Sequence, residues 1–176
     1  ALRKRIRLIE DIKKPLVIST VDIAEAKEYV ITNCAPRDNL KDNYITEIEV
    51  GKAVRASSSF PAFFCPCEFK NHIFMDGGVL DNTPVLPLKQ ICDKKIIAVN
   101  FESDSVGEDC DVMDVIMKSL DIMGNKISEK SFEQSDLILT IPTDGAGLFD
   151  IDKLDKCYQF GYNTVMRNLK KFRDLL

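Results

Sequence analysis

The chain has 176 residues, 45% of them hydrophobic and 30% charged, a composition ordinary for a soluble globular protein of one domain or most of one. Its 24 basic and 28 acidic residues leave a net charge of -4, too small an imbalance to point to nucleic acid or to a strongly charged partner. No apolar run approaches the ~20 residues of a membrane-crossing helix, so the expectation is a cytoplasmic protein, at most peripheral to a membrane.

The chain opens on Ala1 and runs at once into a charged stretch, without an initiator methionine or a targeting pattern, and reads as a fragment. Arg3, Lys4, Arg5 and Arg7 are followed by acidic residues and read as a solvated helix face. Residues 15–21 are a β-branched run of strand length, and residues 27–31 a second strand after a short turn, which suggests a hairpin or an adjacent pair. Over residues 47–57, Ile48, Val50, Val54, Ala53 and Ala56 recur at helical spacings, and Pro61 would end that helix. A loop over 58–69 leads to a strand ending in Asp76, and Pro84 then sits in the first turn of a short helix that reaches Ile91. Residues 95–100 are apolar on both faces, as a central parallel strand is.

Val112, Val115, Ile116, Leu120, Met123 and Ile127 form one stripe of a long helix, and residues 137–141 another strand. A closing helix carries Leu154, Cys157, Tyr158, Gly161, Tyr162, Val165, Leu169 and Phe172 at steps of three and four. Both stripes are expected to face the core. Strand and helix alternate through the second half, so the fold class is α/β, a largely parallel sheet covered by helices. The loop over 143–147 is too short to divide domains, and residues 1–176 read as part of a single one.

The most chemical segment is Ile73-Phe74-Met75-Asp76-Gly77-Gly78-Val79-Leu80-Asp81-Asn82. It delivers one carboxylate to a strand end, with Gly77 and Gly78 letting the backbone turn away at positive φ. On these residues alone Asp76 is equally a turn-former and a catalytic carboxylate. The single histidine, His72, lies four residues earlier on the same strand, ~13 Å away at 3.3 Å per residue. The two cannot be a hydrogen-bonded pair, which removes a Ser-His-Asp triad, and His72 reads as a strand-start or surface residue.

Six cysteines are scattered among apolar positions and read as reduced, buried thiols. Cys65-Pro66-Cys67 lacks Cys-x-x-Cys spacing, and with one histidine no metal site is expected. There is no Gly-x-Ser-x-Gly elbow, and Gly145-Ala146-Gly147 is too isolated to form an oxyanion loop. Ser57, Ser58 and Ser59 read as hydrogen bonders at a helix end rather than nucleophiles. The 73–82 segment also has the look of a haloacid-dehalogenase-like phosphatase motif, but Gly78 stands where that chemistry needs a second carboxylate.

In order, Lys14-Pro15-Leu16-Val17-Ile18-Ser19-Thr20-Val21-Asp22-Ile23, Ala53-Val54-Arg55-Ala56-Ser57-Ser58-Ser59-Phe60-Pro61-Ala62-Phe63-Phe64, Phe74-Met75-Asp76-Gly77-Gly78-Val79-Leu80-Asp81-Asn82-Thr83-Pro84-Val85 and Ile96-Ile97-Ala98-Val99-Asn100 resemble the C-terminal half of patatin-like phospholipases. Phe149-Asp150-Ile151-Asp152 and Gly161-Tyr162 are similar too. The resemblance implies a patatin-like acyl hydrolase fold, incomplete at its N-terminal side, and a phospholipase or esterase of lipid metabolism that works through a Ser-Asp dyad without cofactor or metal. Only the dyad's aspartate maps here, at Asp76 of an Asp-Gly-Gly motif supported by Gly77 and Gly78. The elbow and oxyanion loop would lie on an N-terminal segment of the same protein, and this chain alone is expected to be inactive. A lipid acyl ester is the implied substrate. Truncation implies an uncovered sheet edge and self-association through it. Phe60, Phe63 and Phe64 are expected to fill the core beneath their loop rather than line an acyl pocket. The competing reading is a non-catalytic patatin-like binding or scaffolding module.

Overall fold

The computed structural model describes residues 7–34, 42–102, 111–146 and 150–175, which divide between two compact units. Arg3, Lys4, Arg5, Cys110, Gly147 and Phe149 lie outside the described residues, while Arg7 is exposed and not helical.

The first unit comprises Ala1–Lys94 and Met123–Ser131. Strands β1 (Val17–Asp22), β2 (Lys27–Thr32), β3 (Tyr44–Ile45), β4 (Cys67–Phe69) and β5 (His72–Asp76) form a five-stranded sheet in the order β3-β2-β1-β5-β4, with helices α1 (Val50–Ser57) and α2 (Val85–Ile91). The class is α/β as expected, but this sheet is not largely parallel. β1 pairs antiparallel with β2 and β5, β4 pairs antiparallel with β5, and only β2 and β3 run parallel. The cause is connection length: a parallel pair needs a crossover of about a dozen residues, whereas residues 23–26 and Lys70-Asn71 turn the chain straight back. Ala26 (φ 50°) and Lys70 (φ 54°) take the left-handed conformation that such turns require.

Period-two alternation places Ile18, Thr20 and Asp22 of β1 on the same face as Tyr29, Ile31 and Phe74, by the registers Ile18↔Ile31, Thr20↔Tyr29 and Asp22↔Phe74. That face and α1 enclose the core, in which Ile9, Tyr29, Ile31, Ile48, Ala53, Ala56, Cys67 and Phe74 are buried. Ala53 and Ala56, three apart on α1, are small enough to let the helix lie close to the strands.

The second unit, Lys95–Ile122 with Phe132–Leu176, holds β6 (Ile97–Phe101) and β7 (Leu137–Ile141), which pair in parallel from Ile97↔Leu137 to Phe101↔Ile141. Here the connection carries α3 (Val112–Glu133), long enough for a parallel crossover. The Asp136 carboxylate accepts from the Ile96 N–H at 2.8 Å and from Lys95 Nζ at 2.9 Å, fastening the start of β7 to that of β6. The closing helix is two, α4 (Leu154–Arg167) and α5 (Leu169–Leu175), divided at Asn168, whose side chain donates to the Thr164 carbonyl at 2.8 Å.

The apolar stripes are largely exposed rather than buried in a core. Val112 is 77% and Leu154 61% exposed, and Val115, Ile116, Met123, Tyr158, Tyr162, Val165 and Leu169 are exposed too. The residues of α3 that are buried are Ser128 and Ser131. Leu120, Ile127, Cys157, Gly161 and Phe172 of the same stripes are half-buried, Gly161 lying against the Ile141 side chain, so periodicity identifies an apolar side of which only part is covered. Cys34, Cys65, Cys67, Cys92 and Cys157 are free thiols as expected, yet only Cys67 among them is buried and Cys65 is exposed.

Phe74 is fully buried at the centre of the core face. Phe74→Ala is expected to lower stability by about 3–5 kcal/mol, read as a shift of the urea midpoint.

Candidate active site

β5 ends on Asp76, whose backbone (φ −49°, ψ 132°) is still extended as the chain tightens into a 3-10 turn over Gly77–Val79. Three contacts hold this corner. The Asp76 N–H donates to the Ser59 carbonyl at 3.1 Å, the Thr20 hydroxyl donates to the Met75 carbonyl at 2.7 Å, and Asp76 Oδ1 accepts from the Gly78 N–H at 2.8 Å. Asp76 is half-buried, and burial raises its pKa above the usual carboxylate range against the opposing pull of the Gly78 N–H. One carboxylate oxygen is thus oriented by the backbone, and among the described residues no serine hydroxyl is hydrogen-bonded to the group. Asp81, five residues on, is likewise raised by burial.

Gly77 and Gly78 are required here, but not for the expected reason, since neither adopts positive φ. A Cβ on Gly77 would sit 2.5 Å from the Ser19 carbonyl oxygen and 2.6 Å from its carbon. On Gly78 it would meet Asn82 Oδ1 at 2.9 Å and Asp76 Oδ1 at 3.1 Å. The glycines serve close approach, of a turn to β1 and of a backbone amide to the carboxylate. The Ser19 hydroxyl, donating to the Asp81 carbonyl at 3.0 Å, completes the seam.

The serines behave as helix-end groups. Ser58 Oγ donates to the Val54 carbonyl at 2.8 Å and Ser59 Oγ to that of Arg55 at 2.6 Å. The Arg55 guanidinium donates to Ser59 Oγ and, at 2.6 Å, to the Cys65 carbonyl, bracing the loop that follows α1. Ser59 is 1% exposed and joined through its carbonyl to Asp76, so α1 and the candidate base are mechanically linked. In that loop Phe60 and Phe63 are half-buried with ring centroids 6.1 Å apart, but Phe64 is 52% exposed and does not fill the core.

His72 starts β5, as its position suggests, and its partner is not Asp76. Its Nδ1 lies 2.6 Å from Oδ2 of Asp22, across the β1–β5 pairing. Burial works to raise the pKa of Asp22, but hydrogen bonds from His72 and from the Ala24 and Glu25 amides outweigh it and hold the carboxyl below its usual value. Sequence reasoning missed this pair because it depends on the β1–β5 register.

The sequence model of the patatin-like phospholipase family matches residues 3–89. The chain is patatin-like over that stretch. The match spans the whole β1–β5 sheet, the Arg55 brace and the Asp76-Gly77-Gly78 corner, and the family is one of lipid hydrolases. In the patatin-like segment the motif carboxylate therefore stands at a strand end, half-buried, with one oxygen held by a backbone amide.

Two substitutions probe this corner. Gly77→Ala is expected to destabilise by about 3 kcal/mol, the upper part of the overpacking range, because backbone must move. Asp76→Asn is expected to leave the fold intact and to melt at or above the parent at pH 7. The sign follows from a folded-state pKa above the unfolded one: the folded chain binds the proton more tightly, so ionised Asp76 costs stability as pH rises through that pKa. The difference in melting temperature should close in acid, where both side chains are neutral.

Proposed function

We propose that Asp76 is the general base of a Ser-Asp dyad in a patatin-like lipid acyl hydrolase, and that an N-terminal segment of the same protein supplies the serine elbow and the oxyanion donors. What carries the reading is the Asp76 carboxylate itself. It sits within the family match, half-buried at a strand end, with the Gly78 N–H holding one of its oxygens.

In the proposed cycle Asp76 accepts the serine hydroxyl proton as Oγ bonds to the ester carbonyl carbon. The tetrahedral intermediate collapses by breaking the ester C–O bond, and the departing alcohol takes the proton back. Water, deprotonated by the same carboxylate, then cleaves the acyl-enzyme. No histidine is needed, because the base touches the hydroxyl directly. Burial assists by raising the basicity of Asp76 toward its working pH. The uncovered apolar sides of β6, α3 and α4, with Ile97, Val99, Phe101, Val112 and Leu154 exposed, support the need for an additional segment.

The test is hydrolysis of a short-chain p-nitrophenyl ester and of phospholipid vesicles. The chain of residues 1–176 alone is expected to show no turnover, and activity abolished in it by Asp76→Ala would overturn the division of the dyad. In the whole protein Asp76→Asn should lower kcat by about 10²–10⁴-fold. Unchanged activity there would show that Asp76 is not the base. The base must be ionised, so kcat/KM is expected to fall as pH drops through a pKa above the usual carboxylate range, and Asp76→Asn should remove that limb.

A further inference from the structure

At the opposite end of the β1–β5 pair from Asp76, three side chains converge from three chain positions: Asp22 ends β1, Glu25 lies in the turn to β2, and His72 starts β5. Their ligand atoms all lie within 4.8 Å of one another, with His72 Nδ1 2.6 Å from Asp22 Oδ2 and 3.9 Å from Glu25 Oε1.

The neighbouring groups aim them. Asp22 Oδ1 is engaged by the Ala24 N–H at 2.8 Å and the Glu25 N–H at 3.3 Å, which turns Oδ2 toward the imidazole. Glu25 Oε2 accepts the Tyr29 hydroxyl at 2.8 Å, which leaves Oε1 facing the same point. The imidazole lies against the rings of Tyr29 and Phe74, with centroids 4.7 and 5.2 Å away. Both carboxylates thus have an outer hydrogen bond that fixes their orientation, as metal-binding carboxylates do, and the imidazole is held by ring packing. Exposure is graded from Asp22 at 1% through His72 at 24% to Glu25 at 48%, a closed floor and an open mouth.

We infer that Asp22, Glu25 and His72 bind a divalent transition-metal ion of the zinc class, with water completing its coordination. One imidazole nitrogen and two carboxylate oxygens suit zinc, cobalt, nickel or manganese, whereas calcium and magnesium favour sites built from oxygen alone. Metal–ligand bonds of about 2.0–2.2 Å place adjacent ligand atoms about 3 Å apart. The His72–Asp22 contact therefore opens slightly and Glu25 swings in, both by side-chain rotation, and the ion displaces the proton between His72 and Asp22. The ion would clamp the β1–β2 turn to the start of β5, ~13 Å along β5 from Asp76, so it is structural rather than catalytic and independent of the proposed hydrolysis. Expecting no metal from the lack of close histidine and cysteine pairs overlooks a set assembled across strands.

His72 is the chain's single histidine, so its imidazole gives one unambiguous set of NMR signals. The chelator-treated chain is titrated with zinc chloride. The His72 ring resonances are expected to shift and saturate at one equivalent, even if cysteine thiols take up further zinc. Glu25→Gln, at an exposed position, should weaken that binding at least tenfold, and Tyr29→Phe, which removes only the outer hydrogen bond, about tenfold. Circular dichroism establishes that both variants are folded. Zinc uptake that leaves the His72 signals unmoved, or the same affinity at His72 in Glu25→Gln, overturns the site.

Discussion

The Cα of Gly77 can carry a hydrogen and nothing larger, because the Ser19 backbone lies 2.5 Å from where a Cβ would be. That spacing lets the turn after β5 fold onto β1, the strand at the centre of the sheet, and the rest of the corner follows. With the turn seated, the Gly78 amide reaches the Asp76 carboxylate, the Ser19 hydroxyl reaches the Asp81 carbonyl, and the Asp76 amide meets the end of α1 through Ser59. A carboxylate is oriented by backbone alone, a stiffer support than another side chain can give.

Polar groups on β1 are as buried as its apolar ones. Ser19, Thr20 and Asp22 are nearly inaccessible, and each is hydrogen-bonded to an element other than its own strand: the Asp81 carbonyl, the Met75 carbonyl, and the β1–β2 turn together with His72. Buried polar groups are costly when unpaired and specific when paired. The strand that a purely apolar core would hold anywhere along its neighbours is held here in one register against β5, and that register decides which side chains stand beside Asp76 and which beside His72.

Much of this was legible in the residues. The β-branched runs gave β1 and β2, Pro61 marked where α1 stops, and Asp76 stood out at a strand end beside two glycines. What was not legible depends on contacts distant in sequence. The reason for Gly77 lies on β1, the partner of His72 lies on β1, and neither strand names its neighbour. The largely parallel sheet failed in the first unit because alternation cannot register that Lys70-Asn71 is too short a link for a crossover. The stripes of α3 and α4 were correctly seen as apolar and wrongly placed in a core, since a sequence shows which side of a helix avoids water and not what covers it.

The antiparallel connections carry a kinetic consequence. β1 with β2 and β4 with β5 are joined by tight turns, so each pair can zip from a local nucleus with little loop-closure entropy. β6 and β7 pair only after the whole of α3 has been spanned. Contacts of short sequence separation form fastest. The two hairpins can therefore form before they dock through β1 and β5, and the corner that holds Asp76 takes shape at that docking step, while the parallel pair of the second unit closes on a slower clock.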